Sequence, residues 1–567
     1  MDRPWLKHYD KHVPPSIDYP HIPLDRFLAD SAARYPETTA TVFGARVGSR
    51  VMDAGMSYRQ LDAQVNRFAA GLQKLGIKKG DRVGIMLPNC PQFVIAAYAI
   101  WRIGAVVVCC NPLYVPREIE HLLNDSGAET FVVMSSLYSN VKQVRANSPL
   151  KRVIVTNIKE YFPGLLRFLF TLTKEKKEGH RVDISGEIDT YWFQDVLSGS
   201  SDLPEPVEVS HEEVSTLIYT GGTTGRPKGA QLTHYNMVSN AVMLNIWARG
   251  QEGKDVLVSV MPFFHSYGMT VGMNVCVCKA LTMVLIPNPR DLEHILRAVE
   301  KHRATVLPAI PTIFNGFNNF PGVEKYDLSS VRVAPCAAAP LPPEVQDRFE
   351  SLTGCKMVEA YGLTETSPAV TMQPIDKPRA NSLGVPVPDT DVKIVDVETG
   401  TREMPVGETG EIIIKGPQVM KGYWNMPEET AQAIRIGPDG EPGWFYSGDV
   451  GYVDEDGYFH IADRKKDMII ASGYNIYPAE VEAVLFEHPK VKEAAVIGVP
   501  HEHRGETVKA FVVLKEGETA TEEEIISFCR ENLAAYKIPR IVEFRDDLPK
   551  SIIGKVLRRL LKEEEEG

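Results

Sequence analysis

The chain alternates short apolar runs with longer amphipathic stretches from about residue 20 to about residue 380. The runs are rich in β-branched residues, which favour strands, and the stretches between them have helical spacing of their apolar residues. Strands that alternate with helices pair in parallel, and helices cover the resulting sheet. The predicted strands are 82–87, 105–108, 130–134, 152–155, 215–219, 256–260 and 282–286.

The pattern of the sequence changes after about residue 380. Short apolar runs at 392–395, 410–416 and 451–461 alternate with turns rich in Gly, Pro and Asp. This pattern indicates a small antiparallel β-barrel of about residues 381–463. A charged junction at 463–467 follows, and helix and strand patterns begin again after it. We therefore expect a multidomain α/β protein: an N-terminal domain, 1–463, of two parallel-type α/β sheet subdomains plus the barrel, and a C-terminal α+β domain, 467–567.

Composition narrows the class of protein. A chain of 567 residues is too long for one hydrophobic core. The 62 basic and 74 acidic side chains give a net charge of −12, which disfavours a surface that grips nucleic acid nonspecifically. The eight cysteines include no Cys-x-x-Cys pair, and the N-terminus has no secretory signal pattern, so a reducing, cytoplasmic location is predicted.

Residues 161–172 come nearest to a membrane-spanning stretch, and their apolar residues keep helical spacing. The stretch is shorter than the roughly 20 apolar residues that span a bilayer, and a charged run follows it at 174–178. Two interpretations remain open for it. It either packs against the body of the protein or lies on a membrane surface, which would make the protein peripheral on the inner membrane face.

Residues 219–234 read YTGGTTGRPKGAQLTH and directly follow the predicted strand 215–219. Glycines let backbone N–H groups approach an anion, threonine hydroxyls add donors, and the lysine adds positive charge. This chemistry suits a polyphosphate. Lys228 stands between Pro227 and Gly229, so the stretch is not a Walker A loop.

Four further segments carry residue types that suit a nucleotide and an activated acid. They read EAYGLTE at 359–365, WFYSGD at 444–449, DRKKD at 463–467 and PKSIIGK at 549–555. Together with the loop at 219–234, and in this order, they resemble the motifs of the adenylate-forming superfamily, which contains acyl-CoA synthetases, luciferases and adenylation domains. The resemblance covers nearly the whole chain and is strongest to bacterial-type long-chain fatty-acid CoA ligases.

The resemblance implies a reaction in two halves. In the first half a carboxylate attacks the α-phosphate of ATP, so positive charge and positioning must supply most of the catalysis. Lys555 would bridge the two anions, Thr364 would bond the α-phosphate, and Glu365 would hold Mg²⁺ on the triphosphate. Without the resemblance, Lys555 would equally suit a solvated basic helix face.

The resemblance also implies the residues that hold the nucleotide. Tyr361 would lie against the adenine, while Asp449 and Arg464 would bond the ribose. The complete set is Thr220, Gly221, Gly222, Thr223, Thr224, Gly225, Lys228, Ala338, Ala339, Glu359, Ala360, Tyr361, Gly362, Thr364, Asp449 and Arg464.

In the second half the thiol of coenzyme A attacks the acyl-adenylate, and the resemblance implies that the C-terminal domain first rotates about a hinge at 464–466. Lys466 matches the hinge residue, and Gly473 and Tyr474 match the coenzyme A channel. His265 matches a histidine beside the acyl carboxylate, although a lone histidine in this apolar context would otherwise be a core residue. The predicted acyl pocket contains Tyr267, Gly268, Gly272 and Ala309.

The sequence thus predicts an ATP-dependent ligase that joins a long- or medium-chain fatty acid to coenzyme A, with Mg²⁺ as cofactor. The alternatives are a ligase for aryl or other carboxylic acids, or an enzyme that passes the acyl-adenylate to a carrier protein. A binding protein without turnover is a different class, which intact Lys555, Glu365 and Asp449 disfavour. A homodimer is left open.

Overall fold

The computed structural model describes residues 3–200, 203–220, 227–464, 467–471, 474–501, 505–533, 535–550 and 556–566. The chain divides into two compact units, each with its own sheets. The first unit contains Met1–Asp391 and Lys415–Ile434, and the second contains Val392–Ile414 and Arg435–Gly567. The predicted barrel segment, 381–463, contributes mostly to the second unit, and the predicted domain boundary and hinge stay predictions.

An eight-stranded sheet forms one layer of the first unit. Its six strands from Val214–Thr220 to Thr190–Trp192 pair in parallel, and two further strands pair antiparallel at one edge. In sheet order the strands are Gly422–Tyr423, Lys228–Thr233, Val214–Thr220, Val106–Cys109, Arg82–Met86, Thr130–Met134, Arg152–Thr156 and Thr190–Trp192. Five of the predicted strands therefore lie in this sheet.

Two four-stranded sheets complete the first unit. One contains, in order, Val256–Ser259, Thr282–Leu285, Thr39–Val47 and Arg50–Ser57, and the other contains Val333–Cys336, Lys356–Gly362, Ala369–Met372 and Val385–Pro386. Val306 bridges them, because it pairs in parallel with both Leu257 and Val333. The parallel strands of both sheets consequently run in one direction.

Helices cover these sheets, as the alternating pattern predicts. The α-helices of the first unit are Asp25–Arg34, Tyr58–Lys74, Pro91–Arg102, Pro116–Ser126, Tyr138–Val144, Gly164–Thr173, Phe193–Ser198, His234–Trp247, Val275–Cys278, Leu292–His302, Pro311–Asn318, Pro343–Thr353 and Pro427–Ala433. A π-helix, Gly268–Asn274, precedes Val275–Cys278. None of the helices in the described ranges is long and apolar enough to cross a membrane.

Helix Pro91–Arg102 is buried on every side except at Arg102, and it joins the sheet layer to the π-helix. The Trp101 indole N–H donates to the carbonyl of Ser215 at 3.0 Å, and the Tyr98 hydroxyl donates to Asn274 Oδ1 at 3.0 Å. Both polar atoms are satisfied, as burial requires. The helix therefore fixes the π-helix relative to the strand that leads into the glycine-rich segment.

The second unit contains an antiparallel sheet and an α+β portion. The sheet consists of Asp391–Val395, Gly410–Lys415, Trp444–Val453, Ile434–Arg435 and Phe459–Arg464. The α+β portion consists of the strands Ile469–Ala471, Tyr474–Ile476, Val491–His501, Gly505–Leu514 and Ile541–Phe544 and the helices Pro478–Glu487, Glu522–Asn532 and Arg558–Glu566. The predicted fold class is confirmed.

Candidate active site

Several predicted site residues lie outside the described residues. They are Gly221, Gly222, Thr223, Thr224, Gly225, Lys466, Gly473 and Lys555. The roles predicted for them therefore stay predictions.

The two ends of the glycine-rich segment lie on adjacent strands. Thr220 ends strand Val214–Thr220, Lys228 begins strand Lys228–Thr233, and the two residues are direct partners in the antiparallel pair. The Thr220 hydroxyl donates to the carbonyl of Lys228 at 3.4 Å. The sheet therefore holds both ends of the predicted phosphate-binding segment at one place.

Lys228, the lysine of this segment, is mostly buried and forms an ion pair with Glu429. Its ammonium nitrogen also lies 5.3 Å from the ring centroid of Tyr423. Tyr423 belongs to the edge strand Gly422–Tyr423, which pairs with Lys228–Thr233. The charge of Lys228 is thus compensated by Glu429 and an aromatic face.

Tyr423 connects this lysine to the predicted metal ligand. Its hydroxyl donates a hydrogen bond of 2.9 Å to Glu365 Oε1. Burial raises the pKa of Tyr423, and the Glu365 carboxylate raises it further, so the hydroxyl keeps its proton at neutral pH. Tyr423 therefore acts as a permanent donor that fixes one oxygen of Glu365.

The segment that carries Thr364 and Glu365 turns sharply after strand Lys356–Gly362. A Cβ atom added to Gly362 would lie 1.9 Å from the carbonyl oxygen of Pro368, so only glycine allows the chain to double back here. Thr364 and Glu365 occupy the short 3₁₀ turn Thr364–Thr366, and the backbone N–H of Met420 donates to the carbonyl of Glu365 at 2.7 Å. The glycine and this hydrogen bond place both site residues.

His265 is half-buried, and its protonation state follows from its contacts. The backbone N–H of Tyr267 donates to His265 Nδ1 at 3.3 Å, and a backbone N–H can only donate, so Nδ1 accepts. Burial lowers the pKa of His265 to about 4. At neutral pH the imidazole is therefore uncharged and carries its proton on Nε2.

The segments of His265 and Thr364 are joined by two hydrogen bonds. Ser266 Oγ lies 3.4 Å from Thr364 Oγ1, and the Thr270 hydroxyl donates to the carbonyl of Ser367 at 2.7 Å. The structure thus brings the segment of the predicted catalytic residue His265 to the segment of Thr364 and Glu365, the second predicted catalytic residue and the predicted metal ligand, although the two segments are distant in sequence.

The sequence did not identify Asn89, which holds the chain leading to His265. Its side-chain amide donates to the carbonyls of Ser259 and Met261, each at 2.9 Å, and accepts the backbone N–H of Phe263 at 2.8 Å. Asn89 follows the predicted strand 82–87. A polar residue after a buried strand was a usable signal for it.

Ala338 and Ala339 follow strand Val333–Cys336, which is the parallel neighbour of the strand that carries Glu359, Ala360 and Tyr361. Cys336 pairs with Glu359, so the predicted adenine-binding residues lie on adjacent chain segments. Ala338 has a φ of +72°, a conformation that L residues seldom adopt. Burial raises the pKa of Glu359 to about 7, although the Leu341 N–H donates to it at 3.3 Å.

Two residues of the predicted acyl pocket lie side by side. The Tyr267 hydroxyl and the Ala309 N–H both donate to the carbonyl of Pro335 at 3.0 Å. The two glycines of that pocket lie close to other parts of the protein: a Cβ added to Gly268 would lie 2.0 Å from the carbonyl oxygen of Pro262, and one added to Gly272 would lie 3.1 Å from the Phe263 ring. Their small size thus serves packing within the protein, and a role in the acyl pocket stays a prediction.

Asp449 and Arg464 belong to the second unit and are direct partners in the antiparallel pair Trp444–Val453 and Phe459–Arg464. Asp449 is buried, and its backbone N–H donates to Ser447 Oγ at 3.0 Å. Only the backbone of Arg464 and Tyr474 is described. The sheet therefore pairs the two predicted ribose ligands, and their contacts with a nucleotide stay predictions.

The donor set suits a metal ion that arrives with phosphate. Among the described residues no group of three or more His, Cys, Asp or Glu side chains could hold a metal ion. Magnesium, however, is commonly held by one or two carboxylates together with phosphate oxygens and waters. The buried, oriented carboxylate of Glu365 fits that mode of binding.

Comparison with known proteins agrees with these motifs. Residues 28–424 match the model of the AMP-binding enzyme family, and residues 480–555 match that of the AMP-binding enzyme C-terminal domain. A long-chain-fatty-acid CoA ligase of Bacillus subtilis (strain 168) is 42% identical, over 99% of this chain and 98% of the relative.

Solved structures show the same similarity. ATP-bound MatB of Rhodopseudomonas palustris is 30% identical with a TM-score of 0.81, over 96% of this chain and 99% of that one. A long-chain-fatty-acid CoA ligase of Archaeoglobus fulgidus is 32% identical with a TM-score of 0.69, over 95% of this chain and 99% of that one.

Tyr423→Phe tests whether the Tyr423 hydroxyl orients Glu365. We expect the variant to need about tenfold more Mg²⁺ for half-maximal ATP binding, because a hydrogen bond to a charged group is worth about 1.5–3 kcal/mol. Titration calorimetry with ATP at several Mg²⁺ concentrations measures this. The matched control is Tyr191→Phe, which removes a hydroxyl donated to Asp189 at the other edge of the same sheet. Equal Mg²⁺ dependence in both variants would contradict the role of Tyr423.

Proposed function

Because this chain belongs to the AMP-binding enzyme family, we propose that it joins a long- or medium-chain fatty acid to coenzyme A through an acyl-AMP intermediate, with release of AMP and pyrophosphate. The observation that carries the proposal is the 42% identity, over nearly the full length of both chains, with a long-chain-fatty-acid CoA ligase. The cluster of His265, Thr364, Glu365 and Tyr423 supplies chemistry that the first half-reaction needs.

A neutral His265 suits a nucleophilic carboxylate. A cationic imidazolium would form a strong ion pair with the fatty-acid carboxylate and reduce its tendency to attack phosphorus. A neutral imidazole with its proton on Nε2 donates only one hydrogen bond, which orients the carboxylate and leaves its charge in place. Burial thus makes His265 a positioning donor for the acid.

We assign nucleotide binding to the motif residues that this chain shares with the family. Thr220 and Lys228, with the residues 221–225, would hold the departing pyrophosphate, and Thr364 would donate to the α-phosphate. Mg²⁺ held by Glu365 would supply charge neutralisation for the polyphosphate. Asp449 and Arg464 would bond the ribose, and Lys555 would bridge the carboxylate and the α-phosphate.

The second half-reaction requires Lys555 to leave so that a thiol can reach the acyl-adenylate. Lys466 is proposed as the hinge residue, with Gly473 and Tyr474 along the passage for coenzyme A. Lys555 and the passage for coenzyme A would lie on the same rotating segment. Rotation of that segment would let a single active site perform both steps in turn.

A long apolar tail would bind through the hydrophobic effect. Each buried methylene contributes about 0.8 kcal/mol to the binding free energy, so one methylene changes the selectivity between two acids about fourfold. The proposed lining at Tyr267 and Ala309 is buried and carries no charge.

A cytoplasmic location is also proposed, because none of the eight cysteines forms a disulfide and seven are buried. A membrane contact through residues 161–172 is proposed as well.

The proposed function is tested with purified protein, ATP, Mg²⁺, coenzyme A and a panel of acids. The panel should span short, medium and long saturated fatty acids, 4-coumarate and benzoate. We expect thioester formation to be fastest with a medium or long fatty acid. No thioester with any fatty acid would overturn the proposal, and an acyl-adenylate that accumulates despite coenzyme A would instead favour transfer to a carrier protein.

His265→Ala tests the positioning donor. Loss of one such donor costs about 100-fold in rate, so we expect the kcat/KM for fatty-acid-dependent pyrophosphate exchange to fall by about that factor. His265→Asn should recover part of the rate, since its amide can donate.

The charge state of His265 is tested by pH dependence, because a pKa of about 4 leaves the imidazole neutral throughout the neutral range. The pH–rate profiles of wild type and His265→Asn should therefore have the same shape between about pH 6 and 8. An ionisation near the ordinary histidine pKa of about 6.5, seen in wild type alone, would contradict a neutral His265.

Lys555→Ala tests the division between the two half-reactions. We expect the variant to lose acyl-adenylate formation, measured by pyrophosphate exchange, and largely to retain thioester formation from supplied acyl-adenylate and coenzyme A. The control is Lys550→Ala, because Lys550 is an exposed lysine that forms ion pairs with Glu493 at 2.6 Å and Asp547 at 3.1 Å. An equal loss of both half-reactions in Lys555→Ala would refute the division.

A further inference from the structure

Helix Pro427–Ala433 is short, but hydrogen bonds fix where it begins. In the chain that leads to it, the Trp424 N–H donates to the carbonyl of Gly229 at 2.7 Å. The helix is also tied back to the edge strand before it, because the Tyr423 N–H donates to Thr430 Oγ1 at 2.8 Å. These contacts hold the helix next to the strand that begins with the lysine of the glycine-rich segment.

Glu429, on this helix, is the acid that forms the ion pair with Lys228. The two side chains differ in exposure, since that of Lys228 is 17% exposed and that of Glu429 is 40% exposed. The lysine is mostly withdrawn from water, so a nearby anion has to compensate its charge. The carboxylate, in contrast, can be hydrated when the pair separates. The ion pair is therefore one in which another anion can take the place of the carboxylate.

Lys228 is also a proposed ligand of the departing pyrophosphate. It is the direct strand partner of Thr220, so it stands where the two ends of the glycine-rich segment meet. Carboxylate and phosphate oxygens both accept charge-assisted hydrogen bonds from an ammonium group, and they compete for it. Glu429 thus binds the same ammonium that the polyphosphate would use.

We propose that Glu429 is a positioning residue for Lys228, which holds the ammonium in place between turnovers and gives it up to a bound polyphosphate. The apparent affinity for ATP and pyrophosphate is then lower than an uncompensated lysine would give, because binding must first separate the ion pair. A moderate grip on pyrophosphate favours its release after the first half-reaction. The inference rests on the proposed function, since it takes Lys228 as a ligand of the polyphosphate.

A second carboxylate for Mg²⁺ is the alternative role for Glu429, because Tyr423 bonds Glu365 and faces Lys228 with its ring. The carboxylate of Glu429, however, already faces an ammonium. A metal ion would have to displace that cation and leave it mostly buried without a counter-charge. An incoming phosphate replaces one anion at the lysine by another, so the charge of the lysine stays compensated throughout.

The test is titration calorimetry of full-length Glu429→Gln with ATP, pyrophosphate and AMP. Mg²⁺ is held constant, and fatty acid and coenzyme A are omitted so that no reaction occurs. The substitution keeps the size of the side chain and removes its charge. A solvent-accessible ion pair changes an equilibrium constant by up to about fivefold, so we expect the Kd of ATP and of pyrophosphate to fall about three- to fivefold. AMP, which lacks the leaving phosphates, should bind as it does to wild type.

Two controls separate the loss of this ion pair from a general change of charge. Glu428→Gln removes the same charge from an exposed position of the same helix, and it should leave all three affinities at their wild-type values. In a background of Lys228→Met, Glu429→Gln should give no gain in affinity, because no ammonium remains to compete for.

A loss of affinity is what a purely structural contact would give, so the direction of the change decides the matter. Unchanged or weaker binding of ATP and pyrophosphate by Glu429→Gln would overturn the inference. So would an equal gain with AMP, since Glu429 would then act as a general repulsive charge. A raised Mg²⁺ requirement in this variant would show a metal ligand instead and would overturn it too.

Turnover separates this inference from the proposed function. In the thioester assay Glu429→Gln should have a lower KM for ATP than wild type and a kcat no higher, because a tighter grip on pyrophosphate cannot speed its release. Wild-type turnover of a fatty acid, with unchanged ATP binding in the variant, would overturn the inference alone. No thioester with any fatty acid, with the expected gain in binding, would overturn the proposed function alone. A wild type that binds neither ATP nor pyrophosphate would overturn both.

Discussion

Parallel strand pairing determines where the candidate site of the first unit lies. When strands run in one direction, their carboxyl ends meet at one edge of a sheet, and polar residues that follow those ends are brought together. Thr220 ends a strand, and His265, Ala338 and Thr364 each follow the end of one, as does Asn89, which supports the segment before His265. The strands are mostly apolar, although Glu359 and Tyr361 near the end of one strand and Lys228 at the start of another are also predicted site residues. The site therefore depends on strand direction, and the predicted catalytic residues His265 and Thr364 lie in connections that the sheets position.

Within this site, burial sets the charge state of the residues that would contact substrate. Burial makes His265 neutral, and Tyr423, whose pKa burial raises further from neutrality, keeps its proton, so both act as donors at neutral pH. The carboxylate of Glu365 is the group that Tyr423 fixes, and the ammonium of Lys228 lies over the ring of the same tyrosine. One aromatic side chain thereby couples the end of the phosphate-binding segment to the proposed metal ligand. A substitution that removes one of these two contacts should change the strength of the other, because both involve the Tyr423 side chain.

Much of this arrangement could be predicted from sequence, for identifiable reasons. The strands were found because β-branched runs alternate with amphipathic stretches, and the motif residues were found because their chemistry is unusual for their surroundings. Tyr423 was not found, since its hydrogen bond spans 58 residues and nothing near it in sequence has a chemical signature. Gly268 was predicted for the acyl pocket, and the sequence could not show that the backbone of Pro262 lies where its Cβ would stand. The stretch 451–461 contains the end of one strand, a turn and part of a second strand, because periodicity does not show where a hairpin turns.

The helix Gly164–Thr173 shows why two interpretations of one pattern need not exclude each other. Its apolar residues are too many for one packing face, so one set faces the protein and the other faces outward. A net charge of −12 would by itself repel an anionic membrane, but at physiological ionic strength a charge acts over only about 8 Å. The run that follows the helix, 174–178, carries three lysines against two acids, and one of these acids, Glu175, is buried and paired with Lys159. Orientation on a membrane would therefore be decided by this helix, and the acidic remainder of the surface would keep other faces away from the lipid.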